Sequence, residues 1–134
     1  MSGCVLDTDV VIAALDRRDP HHSTAATAIK AMSADGAPLL LSLINYAETL
    51  VRPAEDERTL RTARDALAAL GVRLIAPTPM IAVDAARFCA LNISLADGFA
   101  LATAQAHDAQ VASFDRRVRR ALPKVGLELA QQLS

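Results

Sequence analysis

The sequence predicts an α/β protein in which a parallel sheet of four or five strands lies between two layers of helices. Three observations predict this three-layer α/β/α sandwich. Short apolar segments alternate with longer amphipathic segments along the chain, the order that produces β-α-β units and parallel strands. Residues 39–41 are three consecutive leucines, as expected of a strand covered on both faces. Proline, glycine and serine residues separate the segments, where helices begin and end.

Two of the expected strands fall in the first half of the chain. In order, we expect a strand at 3–6, helices at 9–15 and 22–33, a strand at 39–41, and a helix between Ser42 and Pro53. Ser42 is a suitable N-cap, and Pro53 cannot continue the helix. Within this helix, Ile44, Ala47 and Val51 recur at helical spacing. They are therefore expected to face the core.

The second half continues the alternation. In order, we expect a helix at 56–70, a strand at 72–75, helices at 79–91 and 95–107, a strand at 111–113 and a helix at 116–122, and a fifth strand at 125–129 is left open. Gly71 follows the first of these helices, as glycine often does at a helix C-terminus. Ser94 is the expected N-cap of the helix at 95–107. The sequence contains no repeat or linker, so residues 1–134 are expected to form a single domain.

Composition excludes several protein classes. The chain has 134 residues, of which 52% are hydrophobic, and a mean hydropathy of +0.25. No apolar run approaches the ~18 residues of a membrane span, and no charged segment introduces a secretory signal. Cys4 and Cys89 lack the spacing of a metal or redox motif. We therefore expect a cytoplasmic protein without a membrane contact.

The net charge of −1 does not by itself attract nucleic acid. The basic residues are nevertheless clustered. One group comprises Arg116, Arg117, Arg119, Arg120 and Lys124, and another comprises Arg52, Arg58, Arg61 and Arg64. Such groups are either solvated surface or contacts for phosphates around an acidic centre.

Four acidic residues stand where a strand passes into a helix or early on that helix. Asp7 follows the first strand, Asp115 follows the fourth, Asp97 begins a helix, and Glu48 lies two turns into the helix after the second strand. The carboxyl ends of parallel strands form one crevice, near the point where the strand order reverses. Carboxylates meet there only if a cation offsets their repulsion, and Mg2+ prefers oxygen ligands. The pattern therefore predicts a metal-dependent hydrolase of phosphodiesters.

Each of these residues also has a structural interpretation. Asp7 could cap the first helix, Asp97 could form a capping box with Ser94, and Asp115 could belong to a turn. Glu48 could be exposed, whereas a buried glutamate would need a partner. The three histidines, His21, His22 and His107, are interpreted as structural rather than as ligands.

The motifs together resemble those of PIN-domain nucleases, and more narrowly of VapC-type toxins of bacterial toxin–antitoxin pairs. The stretches that carry the resemblance are Val5-Leu6-Asp7-Thr8-Asp9, Asn45-Tyr46-Ala47-Glu48, Leu95-Ala96-Asp97-Gly98-Phe99-Ala100-Leu101-Ala102 and Val111-Ala112-Ser113-Phe114-Asp115. Two positions depart from the family pattern. Ser113 replaces a common threonine but keeps the hydroxyl, and Asp9 adds an acid where serine or asparagine is common. Asp9 is expected to cap the first helix, or else to assist a metal.

The resemblance implies a Mg2+-dependent endoribonuclease, with Mn2+ as a substitute, that cleaves a structured RNA such as tRNA or rRNA. The matching acidic quartet is Asp7, Glu48, Asp97 and Asp115. We expect Asp7 and Asp97 to bind metal directly, and Asp115 and Glu48 to act through water or at a second metal. The residues expected to position carboxylates or substrate are Thr8, Asn45 and Ser113. The family also implies a homodimer and a VapB-type antitoxin, for which the helices at 42–70 are the expected contact surface.

Three other functions explain the sequence less well. The motif from Val5 to Val11 also fits a haloacid-dehalogenase-like phosphatase with Asp7 as nucleophile, but neither Lys30 nor Lys124 stands where that chemistry needs a lysine. A phospho-receiver domain would need an acidic pair at the end of the first strand and an aspartate after the third strand. The sequence supports neither feature. A PIN-like module without activity would not need the complete quartet. The four aromatic positions, Tyr46, Phe88, Phe99 and Phe114, show no stacking platform, which favours recognition of RNA shape.

Overall fold

A computed structural model describes residues 2–134, and its central feature is a four-stranded parallel sheet. The strands are β1 (Cys4–Leu6), β2 (Leu39–Ser42), β3 (Arg73–Ile75) and β4 (Gln110–Ala112). Their order across the sheet is β3-β2-β1-β4, and each neighbouring pair is parallel. Residues 125–129 add one isolated bridge between Leu129 and Val111 instead of a fifth strand. A 3-10 turn and the left-handed Gly126 occupy the beginning of that segment.

Residues 2–134 contain seven α-helices in the predicted order. They are α1 (Thr8–Leu15), α2 (His22–Ala34), α3 (Leu43–Leu50), α4 (Glu57–Ala69), α5 (Pro79–Phe88), α6 (Leu95–Ala106) and α7 (Arg116–Ala121). The predicted helix at 79–91 is α-helical only to Phe88 and ends in a 3-10 turn closed by the left-handed Asn92. None of the helices in the described residues has the length and apolar character needed to cross a bilayer.

Both faces of the sheet are covered, which confirms the three-layer α/β/α architecture. Cys4 and Leu6 of β1 pack into one core cluster with residues of α1 and α2. Val5, between them, packs into a second cluster with residues of α6 and α7. Successive side chains of a strand point to opposite faces, so this division places one helical layer on each side of β1.

The prediction for the core-facing side of α3 is wrong. Val51 is 65% exposed, Ile44 is 37% exposed, and Ala47 is also exposed, whereas the buried residues of α3 are Asn45 and Thr49. The helical spacing of Ile44, Ala47 and Val51 correctly identifies an apolar face of α3, but spacing alone does not show whether that face is buried. The polar face instead packs inward, because Asn45 finds hydrogen-bond partners on two other helices.

The strand order places the predicted crevice between β1 and β4. From β1 the chain builds β2 and β3 on one side, and then returns to place β4 on the other side of β1. This reversal is the topological switch point at which parallel sheets bind ligands. Asp7 follows β1 and Ser113 follows β4 directly, so both lie at this point.

Gly98 allows α6 to lie unusually close to α5. A Cβ atom at this position would be 2.5 Å from the backbone oxygen of Ala85 on α5. Because that oxygen belongs to a helix backbone, a larger side chain would force the two helices apart. Gly98 follows Asp97 directly, so a shift of α6 away from α5 would also move Asp97.

We expect Gly98→Ala to destabilise the protein by about 1–2 kcal/mol, because the clash outweighs the higher helix propensity of alanine. Urea unfolding of this variant should be compared with that of Ala106→Ser, which alters an exposed position of the same helix. The control should stay within about 0.5 kcal/mol of the parent. A Gly98→Ala protein more stable than the parent would contradict the close contact.

Candidate active site

Asp7 is the buried centre of the site. Its side chain is only 2% exposed, and it caps the N-terminus of α1. Oδ1 accepts a hydrogen bond from the amide of Thr8 at 2.9 Å, and Oδ2 accepts one from the hydroxyl of Ser113 at 2.7 Å. Asp7 is therefore a helix cap, as its structural interpretation predicts. The same carboxylate also joins the end of β1 to the residue that follows β4.

The surroundings of Asp7 disfavour its charged form. The pKa of Asp7 is raised from an ordinary 3.8 to about 8. Burial is the largest cause, the negative charges of Asp9 and Asp97 add to it, and the hydrogen bonds from Ser113 and Thr8 act in the opposite direction. The two ion pairs in the described part of the chain, Arg18 with Asp16 and Arg87 with Asp84, do not involve it. A buried carboxylate among other acids is stabilised by a bound cation or by a proton.

Asp9 belongs to the same cluster. Its Oδ2 accepts a hydrogen bond from the amide of Phe114 at 3.1 Å, so it fixes the segment after β4, while Asp7 provides the N-cap of α1. Its Oδ1 is buried without a hydrogen-bond partner in the described residues. Burial raises the pKa of Asp9 to about 6, with smaller upward contributions from Asp115 and Asp97. Asp9 thus contributes an unsatisfied oxygen to the acidic centre.

Asp97 and Asp115 approach the cluster from the first turns of two helices. Asp97 forms a capping box with Ser94, in which the amide of Ser94 donates to Oδ2 at 3.4 Å. Asp115 caps α7 through Oδ1, which accepts from the amides of Arg117 and Val118 at 2.7 and 3.3 Å. The capping bonds of Asp97 and of Asp115 each use only one of the two carboxylate oxygens. Both residues are half-buried, so capping does not prevent the other oxygen from facing a ligand.

Glu48 is placed differently from the other three members of the predicted quartet. It is exposed on α3, one turn from Asn45. The carboxylates whose charges act on Asp7 and Asp9 are Asp97 and Asp115. The structure therefore gathers Asp7, Asp9, Asp97 and Asp115, and leaves Glu48 at the solvent-facing side.

Asn45 links three helices at the bottom of the site. It is fully buried, and its Nδ2 donates to the hydroxyl of Thr8 at 3.0 Å and to the carbonyl of Ala96 at 3.2 Å. Thr8 precedes the rest of α1, and Ala96 precedes Asp97, so this amide fixes the spacing between the carboxylates of α1 and α6. Its Oδ1 is buried without a partner in the described residues.

The three predicted positioning residues share a deeply buried environment. Thr8 is 7% exposed, and Asn45 and Ser113 are fully buried. Ser113 both donates to Asp7 and accepts from the amide of Asp115 at 3.1 Å. Such burial favours the orientation of carboxylates over direct contact with a substrate.

The donor set fits a hard divalent cation. No three histidine, cysteine, aspartate or glutamate side chains in residues 2–134 converge closely enough to hold an ion as they stand. However, the cluster contains only oxygen donors, and one of them, Oδ1 of Asp9, is buried without a hydrogen-bond partner in the described residues. The 3.4 Å bond that holds Asp97 in its capping position is long and weak. Replacing so weak a hydrogen bond with a bond to a cation would cost little free energy.

Two contacts of the site were not visible in the sequence. Arg119, counted there as part of a basic cluster, is half-buried and donates from Nε to the carbonyl of Ser113 at 2.8 Å. His21 stacks on Phe114, 93 positions away, with ring centroids 4.5 Å apart. No local pattern predicts a contact between residues 93 positions apart. His22 is structural as expected, because its Nδ1 pairs with the carbonyl of Ala13 at 2.8 Å.

We expect Asn45→Ala to destabilise the protein by about 2–3 kcal/mol, because it leaves the carbonyl of Ala96 without this donor and opens a cavity. Thr49→Val is the matched control, since the hydroxyl of Thr49 bonds only within α3, to the carbonyl of Asn45. It should cost less than about 1 kcal/mol. Equal unfolding free energies for the two variants would show that Asn45 does not connect the helices.

The metal-free protein should lose stability as the pH rises from about 4 to about 8. Folded Asp7 keeps its proton up to a pKa of about 8, and Asp9 up to about 6, whereas the unfolded chain releases both near 3.8. The folded state thus binds more protons in this range, and its stability falls as they leave. Thermal unfolding in a chelator should show a steeper decline for the parent than for Asp7→Asn. Parallel profiles would contradict the raised pKa of Asp7.

Comparisons with known proteins identify the fold and the family. The model of the PIN domain matches residues 4–122, which is most of the chain. No curated protein sequence matched. Among solved structures, the sarcin-ricin loop cleaving toxin VapC20 of Mycobacterium tuberculosis is 21% identical, covers 89% of this chain and 95% of its own, and has a TM-score of 0.70.

Two similar structures are toxin–antitoxin assemblies. A toxin–antitoxin complex from Klebsiella pneumoniae is 23% identical, with coverage of 90% and 93% and a TM-score of 0.71. DNA-bound VapBC from Salmonella typhimurium is 15% identical, with coverage of 96% and 97% and a TM-score of 0.73. At these identities the likeness concerns the fold. Together with the match over residues 4–122, it establishes that this chain belongs to the PIN domain family.

Proposed function

We propose that this protein is a metal-dependent endoribonuclease that hydrolyses phosphodiester bonds at the crevice around Asp7. The observation that carries the proposal is the buried carboxylate of Asp7, which lies at the switch point and beside other acids. A phosphatase that uses Asp7 as a nucleophile is less compatible with this geometry. Both oxygens of Asp7 already accept hydrogen bonds and the side chain is 2% exposed, which hinders attack on a substrate phosphorus. Each oxygen keeps a further lone pair that can bind a small cation.

The proposed cofactor is Mg2+, with Mn2+ as a substitute. Asp7, Asp97 and Asp115 would hold it, and the unpartnered oxygen of Asp9 lies in the same cluster. When bound, the cation supplies Lewis-acid activation of water and neutralises charge on the phosphodiester. Mg2+ retains several waters and needs only one or two carboxylates directly. Glu48, as the exposed member of the proposed quartet, would act through water.

The residues of the chain prepare the site for this chemistry. Ser113 holds Oδ2 of Asp7, the amide of Thr8 holds Oδ1, and Asn45 fixes α1 against α6. Such preorganised orientation reduces the free energy needed to arrange the carboxylates during the reaction. The raised pKa of Asp7 also means that a cation must compete with a proton for this carboxylate at neutral pH.

An RNA substrate is supported by exposed cations beside Asp115. Arg116, Arg117, Arg120 and Lys124 are exposed, and neither of the two ion pairs in residues 2–134 includes them. A hollow of about 320 Å3 is lined by Arg117, Arg120, Lys124, Leu91, Asn92 and Ala121. Such cations bind the phosphates of a nucleic-acid backbone and orient it without reading its sequence. We propose a structured RNA such as tRNA or rRNA, and a cytoplasmic location.

We further propose that the protein is a VapC-type toxin restrained by a VapB-type antitoxin. The similar structures include toxin–antitoxin complexes. This chain also has an open surface at the helices of residues 42–70, for which a partner contact is predicted from the sequence. A groove of about 560 Å3 is lined by Tyr46 of α3, by residues of α4, and by Val72 and Leu74. The apolar side chains of Leu43, Ile44 and Val51 on α3 are exposed. A homodimer is part of the same proposal.

Asp7→Asn should abolish metal-dependent RNA cleavage while the protein stays folded, because the amide keeps the shape of the carboxylate but not its charge. The matched control is Asp56→Asn, since Asp56 caps α4 at a fully exposed position and asparagine caps equally well. Cleavage of total cellular RNA by the antitoxin-free protein, with Mg2+ or Mn2+ and with EDTA, measures the effect.

The proposal predicts discrete RNA fragments from the parent and from Asp56→Asn, and none from Asp7→Asn or in EDTA. Retained Mg2+-dependent cleavage by Asp7→Asn would overturn the assignment of Asp7. Hydrolysis of p-nitrophenyl phosphate in place of RNA would favour the phosphatase, and no activity on either substrate would favour a binding module.

A further inference from the structure

An aromatic pair stands beside the acidic centre. The rings of His21 and Phe114 are stacked, with centroids 4.5 Å apart and an angle of 19° between their planes. Phe114 is half-buried and packs against the core beneath α1 and α2. His21 is exposed. Phe114 covers one face of the imidazole, so the exposed surface of His21 lies away from that face.

The chain places this pair next to the carboxylates. Phe114 lies between Ser113, which donates to Asp7, and Asp115. Its own amide donates to Oδ2 of Asp9 at 3.1 Å. The aromatic pair is therefore attached to the rim of the proposed active site through the backbone of one residue.

The position of His21 is fixed before any ligand arrives. Its amide donates to Oδ1 of Asp19 at 2.8 Å, and the amide of His22 donates to the carbonyl of Asp19 at 3.0 Å. The ring of His22 is bonded to the carbonyl of Ala13 at the same turn. The binding of a ligand on His21 therefore requires little loss of conformational entropy in this loop.

Two cations share the turn. Arg17 and Arg18 are both exposed, and the pairing of Arg18 with Asp16 is long, at 3.8 Å with a 95% exposed arginine side chain. Such a surface pair is weak and readily exchanged for a phosphate. An open aromatic face with adjacent cations matches the chemistry of single-stranded nucleic-acid binding, in which bases stack on aromatic rings and cations follow the backbone.

We propose that the open face of His21 stacks an unpaired base of the RNA beside the scissile phosphate, with Phe114 as the rigid support beneath it. This inference rests on the proposed nuclease function and adds a substrate-binding residue to it. A base inside a duplex has both faces covered by its neighbours, so only an unpaired nucleotide can stack in this way. The contact selects for an exposed base rather than for a particular sequence.

The binding test uses Asp7→Asn protein, which is expected not to cleave, and a short single-stranded oligoribonucleotide that contains 2-aminopurine, whose fluorescence falls when it stacks. Introducing His21→Ala should weaken binding about 5- to 150-fold and reduce the quenching, as base–aromatic stacks measured by alanine substitution imply. His21→Phe should restore both signals. His107→Ala, which removes another exposed histidine, should change neither.

Removal of His21 uncovers Phe114, and the base could then stack on Phe114 instead. A second variant tests for this. The double variant His21→Ala/Phe114→Leu keeps an apolar side chain at 114 and should lose the remaining quenching. Unchanged affinity and quenching in both variants would overturn the proposal.

Cleavage separates this inference from the function on which it rests. The parent and His21→Ala, both with Asp7 intact, should cleave the same RNA, and His21→Ala should show a raised KM. If the parent cleaves RNA and His21→Ala has the same KM, only the role of His21 is wrong. If the parent cleaves no RNA in any metal, the proposed function itself fails.

Discussion

The carboxylate of Asp7 is held out of water at the end of β1, and the charged groups that act on it are acids rather than cations. Ser113 and Thr8 fix its two oxygens by hydrogen bonds, yet these bonds only partly offset the cost of burial and of the charges on Asp9 and Asp97. Such a group stays ionised at neutral pH only if a cation joins it. The arrangement costs stability in the metal-free protein and provides the driving force for binding a cation.

The rest of the fold arranges the elements around that carboxylate. The sheet order places β4 next to β1, so that Ser113 reaches Asp7. Gly98 lets α6 approach α5, and Asn45 ties the beginning of α6 to Thr8 on α1. These contacts come from separate parts of the sequence, and the bonds of Asn45 connect the residue after Asp7 to the residue before Asp97. The fold thus maintains a repulsive arrangement that no local segment would adopt alone.

Local chemistry in the sequence was sufficient to predict the framework. Apolar stretches marked the strands, Ser42 and Ser94 marked helix N-termini, and the acids after β1 and β4 marked the crevice. What the sequence could not show were the contacts that depend on tertiary packing. The apolar face of α3 proved to be exposed because the polar Asn45 turns inward, and Glu48 lies on the solvent side with it. Phe114 contacts both Asp9 and His21, and it lies more than 90 positions from each of them, beyond the range of any local pattern.

The most direct test of this account is the titration of Asp7 itself, followed by the carbonyl chemical shift of its carboxylate in NMR spectra. In the metal-free protein we expect Asp7 to titrate near pH 8, because burial and neighbouring acids disfavour its charge. Saturating Mg2+ should move that titration well downward, since a bound cation favours the ionised form. An Asp7 that titrates near 4 both with and without Mg2+ would contradict the account, because its carboxylate would then be stable without a cation.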